Sequence, residues 1–334
     1  MKPSLQERLT GGLIGLLVGD ALGVPYEFHD ASAIPAIELI EFDPPPDFKR
    51  SHGSVPPGTW SDDGAQALCL LASLLACQRF DADDFGRRLV MWYDAGYMAV
   101  DEIVFDVGIT TGKAIRAMRQ NVPALDAGAR DAHENGNGSL MRVLPLALWH
   151  RGSDADLARD AQLQSQVTHA HLRSQICCAL YCLWARRIFN DVADPWADAV
   201  MVLRNLYADS PQELEELEWS IRPDYPAEGK GSGYVVDCLR SARMVLGTGS
   251  YEDVVRAAVR LGNDTDTTAC VAGGIAGIRD GIGAIPQRWK TELRGQAIMQ
   301  PLLDGLLRQH GISIADAGLV NANPGVEILK KTNV

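Results

Sequence analysis

Apolar residues recur along most of the chain at the spacing of three and four positions that is typical of amphipathic helices. The segments with this spacing are residues 64–79, 84–96, 138–149, 174–189, 196–207, 234–246, 251–261 and 267–279. Strand-like alternation is nearly absent, and the best extended candidate is residues 36–42. Pro, Gly, Asp and Asn predict loops at 42–61, 120–136 and 208–232. The pattern therefore predicts a mainly α-helical protein with little or no sheet.

Two helical segments carry glycine at every fourth position. The glycines are Gly11, Gly15, Gly19 and Gly23 in one segment and Gly273, Gly277 and Gly281 in the other. A step of four residues returns to nearly the same side of a helix, so each set forms a slowly turning stripe. Because a helical glycine costs about 1 kcal/mol relative to alanine, we predict a compensating close approach between two central helices. The alternative is a set of independent loop or cap glycines.

Composition and charge describe an acidic globular protein. The 334 residues include 31 Lys and Arg against 43 Asp and Glu, which gives a formal net charge of −12. This charge disfavours nucleic acid and anionic membranes as partners. No segment resembles a domain linker, so we expect one domain over residues 1–320 and a loosely ordered tail over 321–334.

The N-terminal segment imitates a short signal peptide, because Lys2 and Arg8 precede an apolar run. Asp20 interrupts that run, and the longest apolar stretch, residues 67–77, is shorter than the ~18 residues of a membrane span. We therefore expect a cytoplasmic protein without membrane contact. The seven cysteines lack CxxC spacing and fall mostly in apolar segments, which predicts buried free thiols.

The strongest chemical signal is a pair of aspartate clusters, each directly ahead of a helical segment. Asp62 and Asp63 form one cluster, and Asp264 and Asp266 form the other. One carboxylate suffices to cap a helix, and simple capping is the alternative interpretation. Four neighbouring carboxylates without Lys or Arg nearby require a cation.

The candidate ligands in these clusters are oxygen atoms of Asp, Ser and Thr side chains. Oxygen ligands suit Mg²⁺, Mn²⁺ or Ca²⁺ and disfavour zinc and copper. Since Mg²⁺ usually takes one or two carboxylates, four of them favour a two-metal site with a spacing of about 3.5–4 Å. The clusters therefore predict a hydrolase-type centre.

Two further segments belong to the candidate site. A first helix is predicted to end at Gly23 and to be stopped by Pro25, which leaves Glu27 on a loop. Residues 135–142 read Asn-Gly-Asn-Gly-Ser-Leu-Met-Arg and are predicted to open a helix that continues to Trp149. Glycines and free N–H groups at a helix start suit a diphosphate, and a flexible loop with a Ser or Asn cap is the alternative.

In this order the segments resemble the ADP-ribosylglycohydrolase family. The matching motifs are residues 19–27, 61–63, 136–142, 233–237 and 262–267. The resemblance implies an all-α, single-domain orthogonal helical bundle with a central metal-lined cleft. It also implies two Mg²⁺ ions as cofactors, for which Mn²⁺ can substitute. Gly64 stands where the family usually has a threonine, so one hydroxyl beside the metals is missing.

The resemblance assigns residues of this chain to three roles. The implied metal ligands are Ser61, Asp62, Asp63, Asp264, Asp266 and Thr267. The implied catalytic residues are Glu27, Asp62 and Asp264. The implied ADP-ribose-binding residues are Gly136, Asn137, Gly138, Ser139, Met141, His169 and Tyr234, with His171 as the alternative to His169.

The function that follows is metal-dependent hydrolysis of an ADP-ribosyl bond on a modified protein, foremost the N-glycosidic bond to arginine, with release of ADP-ribose. We expect a monomer, with the ADP-ribosylated protein as partner. The alternatives are a serine-linked or small-molecule substrate, or a relative that binds ADP-ribose without catalysis. Two other metalloenzyme families fail, because HD phosphohydrolases need a histidine before His29 and terpene synthases need an acid at Gln66.

Overall fold

The computed structural model describes residues 2–313, so the tail predicted at 321–334 lies outside the described residues. Within residues 2–313 the chain forms fifteen α-helices. In chain order they are α1 (Leu5–Gly23), α2 (Asp62–Cys77), α3 (Ala82–Ala95), α4 (Ile109–Arg119), α5 (Ala124–Ala127), α6 (Leu144–Trp149), α7 (Asp154–Gln166), α8 (Leu172–Phe189), α9 (Pro195–Leu206), α10 (Pro211–Glu215), α11 (Val235–Val245), α12 (Tyr251–Arg260), α13 (Thr265–Asp280), α14 (Gln287–Glu292) and α15 (Gln296–Gln309).

The predicted all-α fold is confirmed. In the described part of the chain, pairing of β type is limited to three isolated bridges. The extended candidate at 36–42 contains a 3₁₀ turn, Ile37–Leu39, instead of a strand. An isolated extended segment is not stable without a partner strand, and none is available beside it. The seven cysteines are free, as predicted, and all but Cys77 are buried.

Seven of the eight predicted helical segments coincide with observed helices to within a few residues at either end. The prediction of one helix over 138–149 is wrong, because the helix begins only at Leu144. Pro145 lies in its first turn. Proline is favoured at a helix start, but in the interior it removes a backbone hydrogen bond and clashes with the preceding turn. The glycine-rich residues before Leu144 therefore remain a series of turns.

Helices α1 and α13 form the centre of the molecule and approach each other through their glycine stripes. A Cβ atom on Gly277 would lie 2.0 Å from the carbonyl oxygen of Gly11, and one on Gly19 would lie 2.1 Å from that of Ala269. Backbone-to-backbone contact at these distances excludes any side chain. The predicted close approach of two central helices is confirmed.

The first helix is also the one described segment that is long and apolar enough to cross a membrane. This test is met by residues Leu5–Tyr26 on length and composition alone. In the protein, however, 94% of the 18-residue window that meets this test is buried, and its apolar residues pack in the hydrophobic core. Its apolar character is accounted for by its central position.

Replacing Gly277 with alanine is expected to lower the free energy of unfolding by at least about 3 kcal/mol, because the new methyl group collides with backbone that has no room to move. Gly247→Ala is the matched control, since a Cβ there meets nothing within 4 Å. Urea unfolding of both variants measures the difference. A small change for Gly277→Ala would mean that the two helices separate easily.

The central helix pair brings three helix ends together. The hydroxyl of Thr265, at the start of α13, donates to the carbonyl oxygen of Gly23 at the end of α1 (2.8 Å). The buried carboxylate of Asp20 accepts from the amides of Ser61 (2.9 Å) and Gly64 (2.7 Å) at the start of α2. The end of α1 is thereby fixed to the beginnings of α2 and α13.

Candidate active site

The two aspartate clusters meet where these three helix ends converge. Asp62 and Asp63 lie in the first turn of α2, and Asp266 lies in the first turn of α13 with Asp264 just before it. The hydroxyl of Thr267 donates across the gap to Oδ1 of Asp63 (3.3 Å). Residues 200 positions apart therefore form one cluster, as the sequence analysis predicted.

Capping does not account for these carboxylates. Asp264 occupies the position before α13, but its side chain makes no capping hydrogen bond. At α2 the cap is Ser61, whose hydroxyl accepts from the amide of Asp63 (3.3 Å). Ser61, itself one of the predicted metal ligands, is buried and is not among the residues that line the cleft.

The cluster has the properties of a cation site. Both carboxylate oxygens of Asp266 and Oδ2 of Asp63 are buried without a hydrogen-bond partner in the described chain. Burial, followed by repulsion from neighbouring carboxylates, raises the pKa of Asp62, Asp63 and Asp266 well above the usual range. Buried anions of this kind are normally paired or bound to metal, so the residues present fit a divalent cation with oxygen ligands.

Glu27 lies beside this cluster, directly after the 3₁₀ turn Val24–Tyr26 that extends α1. Ligand oxygens of Glu27, Asp264 and Asp266 all lie within 4.8 Å of one another. The Glu27 carboxyl is buried, and this burial, with repulsion from Asp106 and Asp264, raises its pKa to about 10. In the absence of a cation the group is therefore protonated at neutral pH.

Two residues of the site carry no signal that the sequence analysis used. Nε2 of His52 lies 2.7 Å from Oε2 of Glu27. Asp106 lines the cleft from the segment between residues 102 and 109, with a left-handed backbone (φ 55°), and burial raises its pKa to about 6. Neither residue belongs to a recognisable motif, and both are brought to Glu27 by the path of their loops.

The carboxylates of Glu27, Asp62, Asp63, Asp106 and Asp264 form one wall of a cleft of about 240 Å³, whereas Asp266 is buried outside its lining. The other wall is formed by Gly136, Asn137, Gly138, Met141 and His169. A Cβ on Gly138 would lie 2.9 Å from Cε1 of His169, so glycine is required for the loop to approach the ring. Asn137 also connects the walls, because its Nδ2 donates to Oδ2 of Asp264 (2.9 Å).

The glycine loop offers free donors although it is not the helix start that was predicted. The amides of Leu140 and Met141 both donate to the carbonyl oxygen of Asn137, which closes a tight turn. Within residues 2–313 the amides of Gly138 and Ser139 make no hydrogen bond. Adjacent unpaired amides in a turn suit an anion. The Ser139 side chain itself points away and bonds to the hydroxyl of Ser165 (2.8 Å).

Of the three remaining ADP-ribose-binding candidates, only one lines the cleft. His169 lines the cleft, whereas His171 caps α8 by accepting from the amide of Arg173. Tyr234 pairs with Gly136 through the backbone, but its side chain is 40% exposed and lies outside the cleft lining, in a neighbouring hollow.

Comparison with known proteins identifies the same family across nearly the whole chain. The family model described as ADP-ribosylglycohydrolase matches residues 1–315. ADP-ribosylarginine hydrolase Tri1 of Pseudomonas putida is 29% identical over 90% of this chain and 78% of its own length. ADP-ribosyl-[dinitrogen reductase] glycohydrolase of Rhodospirillum rubrum is 28% identical over 93% of this chain and 99% of its own. A solved structure titled "ADP-ribosylglycohydrolase-related protein complex" superposes with a TM-score of 0.72 at 30% identity, covering 91% of this chain and 98% of its own.

Proposed function

The chain belongs to the ADP-ribosylglycohydrolase family, and we propose that it hydrolyses the N-glycosidic bond between ADP-ribose and an arginine of a modified protein, with two Mg²⁺ ions as cofactors. The relatives whose printed names specify ADP-ribosylarginine or an ADP-ribosylated protein support this choice. Monomeric state and cytoplasmic location remain predictions within the same proposal.

The observation that carries the proposal is the pairing of opposite chemistries across one cleft. The Asp63 carboxylate, one oxygen of which is buried without a partner, lies on one wall, and the free amide of Gly138 belongs to the loop that forms the other. ADP-ribose combines a diphosphate, which suits free amides, with ribose hydroxyls, which suit carboxylates and their cations. A cleft with only one of these features would fit many other ligands.

The residues that would hold the two cations are the predicted set, namely Ser61, Asp62, Asp63, Asp264, Asp266 and Thr267. When bound, such ions supply Lewis-acid stabilisation and lower the pKa of water. Glu27 is placed to exchange a proton with the leaving nitrogen, because its carboxyl group lies among the carboxylates and is protonated at neutral pH without cations. The anionic wall would stabilise positive charge that develops on the ribose ring as the bond breaks.

Asp106 supports arginine as the linkage. Its carboxylate lines the cleft and lies close to Glu27 and His52. A half-buried carboxylate at this position complements a guanidinium, which is planar, cationic and able to donate several hydrogen bonds. A serine linkage would offer this carboxylate no cation.

An apolar patch beside the cleft supports a protein substrate. The Phe28 side chain follows Glu27 directly and is 70% exposed, with its ring 5.7 Å from that of His52. Ile109 lines the cleft and is 79% exposed. Phe28 also has a left-handed backbone (φ 63°), which is rare for a bulky side chain. Exposed apolar groups around a polar site commonly contact a partner protein.

Replacing Phe28 with asparagine, which tolerates the left-handed backbone, is expected to reduce kcat/KM for an ADP-ribosylated protein about 30-fold more than for free ADP-ribosylarginine, since burying an aromatic ring is worth about 2 kcal/mol. The matched control is Met201→Asn, which removes a 53% exposed side chain from α9. Initial rates with both substrates measure the ratio. An equal loss on both substrates would show that Phe28 acts through neighbouring Glu27.

The proposed function is tested by incubating the purified protein with ADP-ribosylated arginine in Mg²⁺ and then in chelator, and by measuring the ADP-ribose released. Release that requires the metal supports the proposal. Release only from an ADP-ribosylated serine peptide would correct the linkage. Binding of ADP-ribose without release from either substrate would identify a non-catalytic ADP-ribose-binding protein.

A further inference from the structure

The buried side chain of Arg142 lies behind the cleft and has no carboxylate partner. It is fully buried, its guanidinium carbon lies 5.1 Å from the Phe85 ring centroid, and burial lowers its pKa only to about 10. Its hydrogen bonds go to neutral acceptors on Gln66, Gln164 and Thr168. Burying a cation among neutral groups is costly, so the presence of Arg142 at this position needs an explanation other than an ion pair.

One branch of this network leads to the metal side of the cleft. A guanidinium can only donate, so Oε1 of Gln66 must be the atom that accepts from Arg142 (2.8 Å). The other end of the Gln66 amide, Nε2, then donates to Oδ2 of Asp62 (2.8 Å). Arg142 thereby orients the amide that holds one oxygen of Asp62.

A second branch leads to His169. Thr168 Oγ1 accepts from Arg142 (2.8 Å) and lies 2.8 Å from Nδ1 of His169. Because the hydroxyl accepts from the arginine and has no other acceptor among the described residues, its single proton is donated to Nδ1. His169 Nδ1 is then unprotonated, and the proton of the neutral ring is on Nε2. That edge of the ring lies beside Gly138, where the cleft loop passes.

A third branch supports the loop itself. The side-chain oxygen of Gln164 accepts from Nε of Arg142 (3.2 Å), and its Nε2 donates to the carbonyl oxygen of Ser139 (3.0 Å). The carbonyl group of Ser139, in the loop that lines the cleft, is thus held by the same network. All three branches start from one guanidinium.

We propose that Arg142 is a positioning residue which fixes, through Thr168, the neutral Nε2–H form of His169 facing the cleft, and, through Gln66, the orientation of Asp62. The assignment of the His169 proton stands on geometry alone. Its consequence, an N–H donor offered to the diphosphate of the substrate, rests on the proposed function.

The tautomer is measured by ¹⁵N NMR of the histidine side chains in the metal-free protein, with the His169 signals identified by their loss in His169→Gln. We expect a proton on Nε2 and a bare Nδ1 in the native protein and in Thr168→Ser, which keeps the hydroxyl. In Thr168→Val, which has the same shape without it, we expect that preference to be lost. A proton on Nδ1 in the native protein would overturn the proposal, and this result does not depend on either Thr168 variant folding.

Binding measurements, which need no turnover, test the Thr168 branch and the Gln66 branch independently. Thr168→Val is expected to weaken ADP-ribose binding about fivefold relative to Thr168→Ser, the effect of one misplaced hydrogen bond. Gln66→Leu is expected to weaken Mn²⁺ binding, followed by electron paramagnetic resonance, by about tenfold, within the usual range for a group that orients a metal ligand.

The pattern of losses decides the outcome. A loss confined to the expected ligand in each variant supports positioning by two branches. Equal losses of both ligands in both variants would indicate a general packing defect and would contradict the proposal. If the native protein shows the predicted tautomer but binds no ADP-ribose, the proposed function fails while the assignment for His169 stands.

Discussion

Replacing Asp266 with asparagine is expected to raise the thermal unfolding temperature of the metal-free protein and, in the same variant, to reduce metal-dependent hydrolysis by more than about 100-fold. Both oxygens of Asp266 are buried without a partner, and the carboxyl faces repulsion from Glu27 and Asp63. The amide has the same shape and carries no charge, so the repulsion disappears. The bound cations lose a ligand at the same time.

The expected stabilisation of the metal-free Asp266→Asn variant is on the order of 1 kcal/mol, the free energy that corresponds to about one pKa unit of relieved repulsion. Thermal unfolding in chelator and in Mg²⁺ measures both states. The native protein should gain stability from the metal by mass action, and the variant should gain little. A variant that is less stable without metal, or equally stabilised by it, would place Asp266 outside the cation site.

Asp20→Asn is the matched control, because Asp20 is an equally buried aspartate near the same cluster with the opposite role. Its carboxylate accepts from the amides of Ser61 and Gly64, which fixes the start of α2. An amide group there would turn a donor toward one of these N–H groups. We therefore expect Asp20→Asn to lower the stability of the metal-free protein, the opposite sign from Asp266→Asn.

Most helices that bury an apolar stripe were predicted from the sequence, although α15, which buries Met299, Leu303, Leu306 and Leu307, was not. Two other helices were missed because their buried faces include polar or small residues. Helix α4 buries Thr111, Gly112, Ala114 and Ile115, and helix α7 buries Gln164 and Ser165 beside its apolar residues. Neither face shows the strong apolar spacing that the prediction used. In α7 the reason is functional geometry, because Gln164 belongs to the network behind the cleft.

The aspartates of the site were predictable because paired carboxylates with nearby hydroxyls form a pattern within a few residues. Asp106 and His52 lie on loops without such a pattern, and their position depends on how those loops fold toward Glu27. The part played by Arg142 was equally hidden, since its acceptors come from separate parts of the chain. A motif within a few residues indicates site residues that are neighbours in the sequence. Residues from other parts of the chain reach the site through long-range packing, which no local motif shows.

The glycine stripes show the opposite case, in which a long-range contact was predictable. Glycine at every fourth position is expensive in a helix, so the sequence retains it only where the gain is larger. The approach of Gly277 to Gly11 supplies that gain by bringing two backbones into contact. The same contact carries the start of α13 to the end of α1, so the stripe is part of what assembles the aspartates.

The metal-free protein is expected to lose stability as pH rises from 7 to 9, and Mg²⁺ is expected to suppress that loss. Burial, with repulsion from neighbouring carboxylates, raises the pKa of Glu27 to about 10, and burial raises that of Asp20 to about 7. An acid whose pKa is higher in the folded than in the unfolded state binds its proton more tightly when folded. Stability is then lost as pH rises between the two values.

Below pH 7 another group acts in the opposite direction. Burial lowers the pKa of His169 to about 3, so the folded state excludes a proton that the unfolded state binds below about pH 6.5. That contribution makes stability rise with pH and is complete by pH 7. Above it, stability falls as pH rises: the Glu27 carboxyl costs about 1.4 kcal/mol for each pH unit, or about 3 kcal/mol from pH 7 to 9. The buried thiols, whose pKa burial raises, add to this fall as pH approaches 9.

Thermal unfolding at pH 7, 8 and 9, in chelator and in saturating Mg²⁺, measures the prediction, with an expected fall in chelator on the order of 5 °C. Cations favour the ionised carboxylates, so the stabilisation by Mg²⁺ should grow with pH. Calorimetry in buffers of different ionisation enthalpy should show fewer protons released on metal binding at pH 9 than at pH 7. Glu27→Gln should make the fall in chelator shallower, leaving the part that the buried thiols contribute, while Glu134→Gln, a change at an exposed ion pair with Lys113, should leave the native profile unchanged. A flat profile for the native protein would mean that the Glu27 carboxyl is already ionised at pH 7 without a cation.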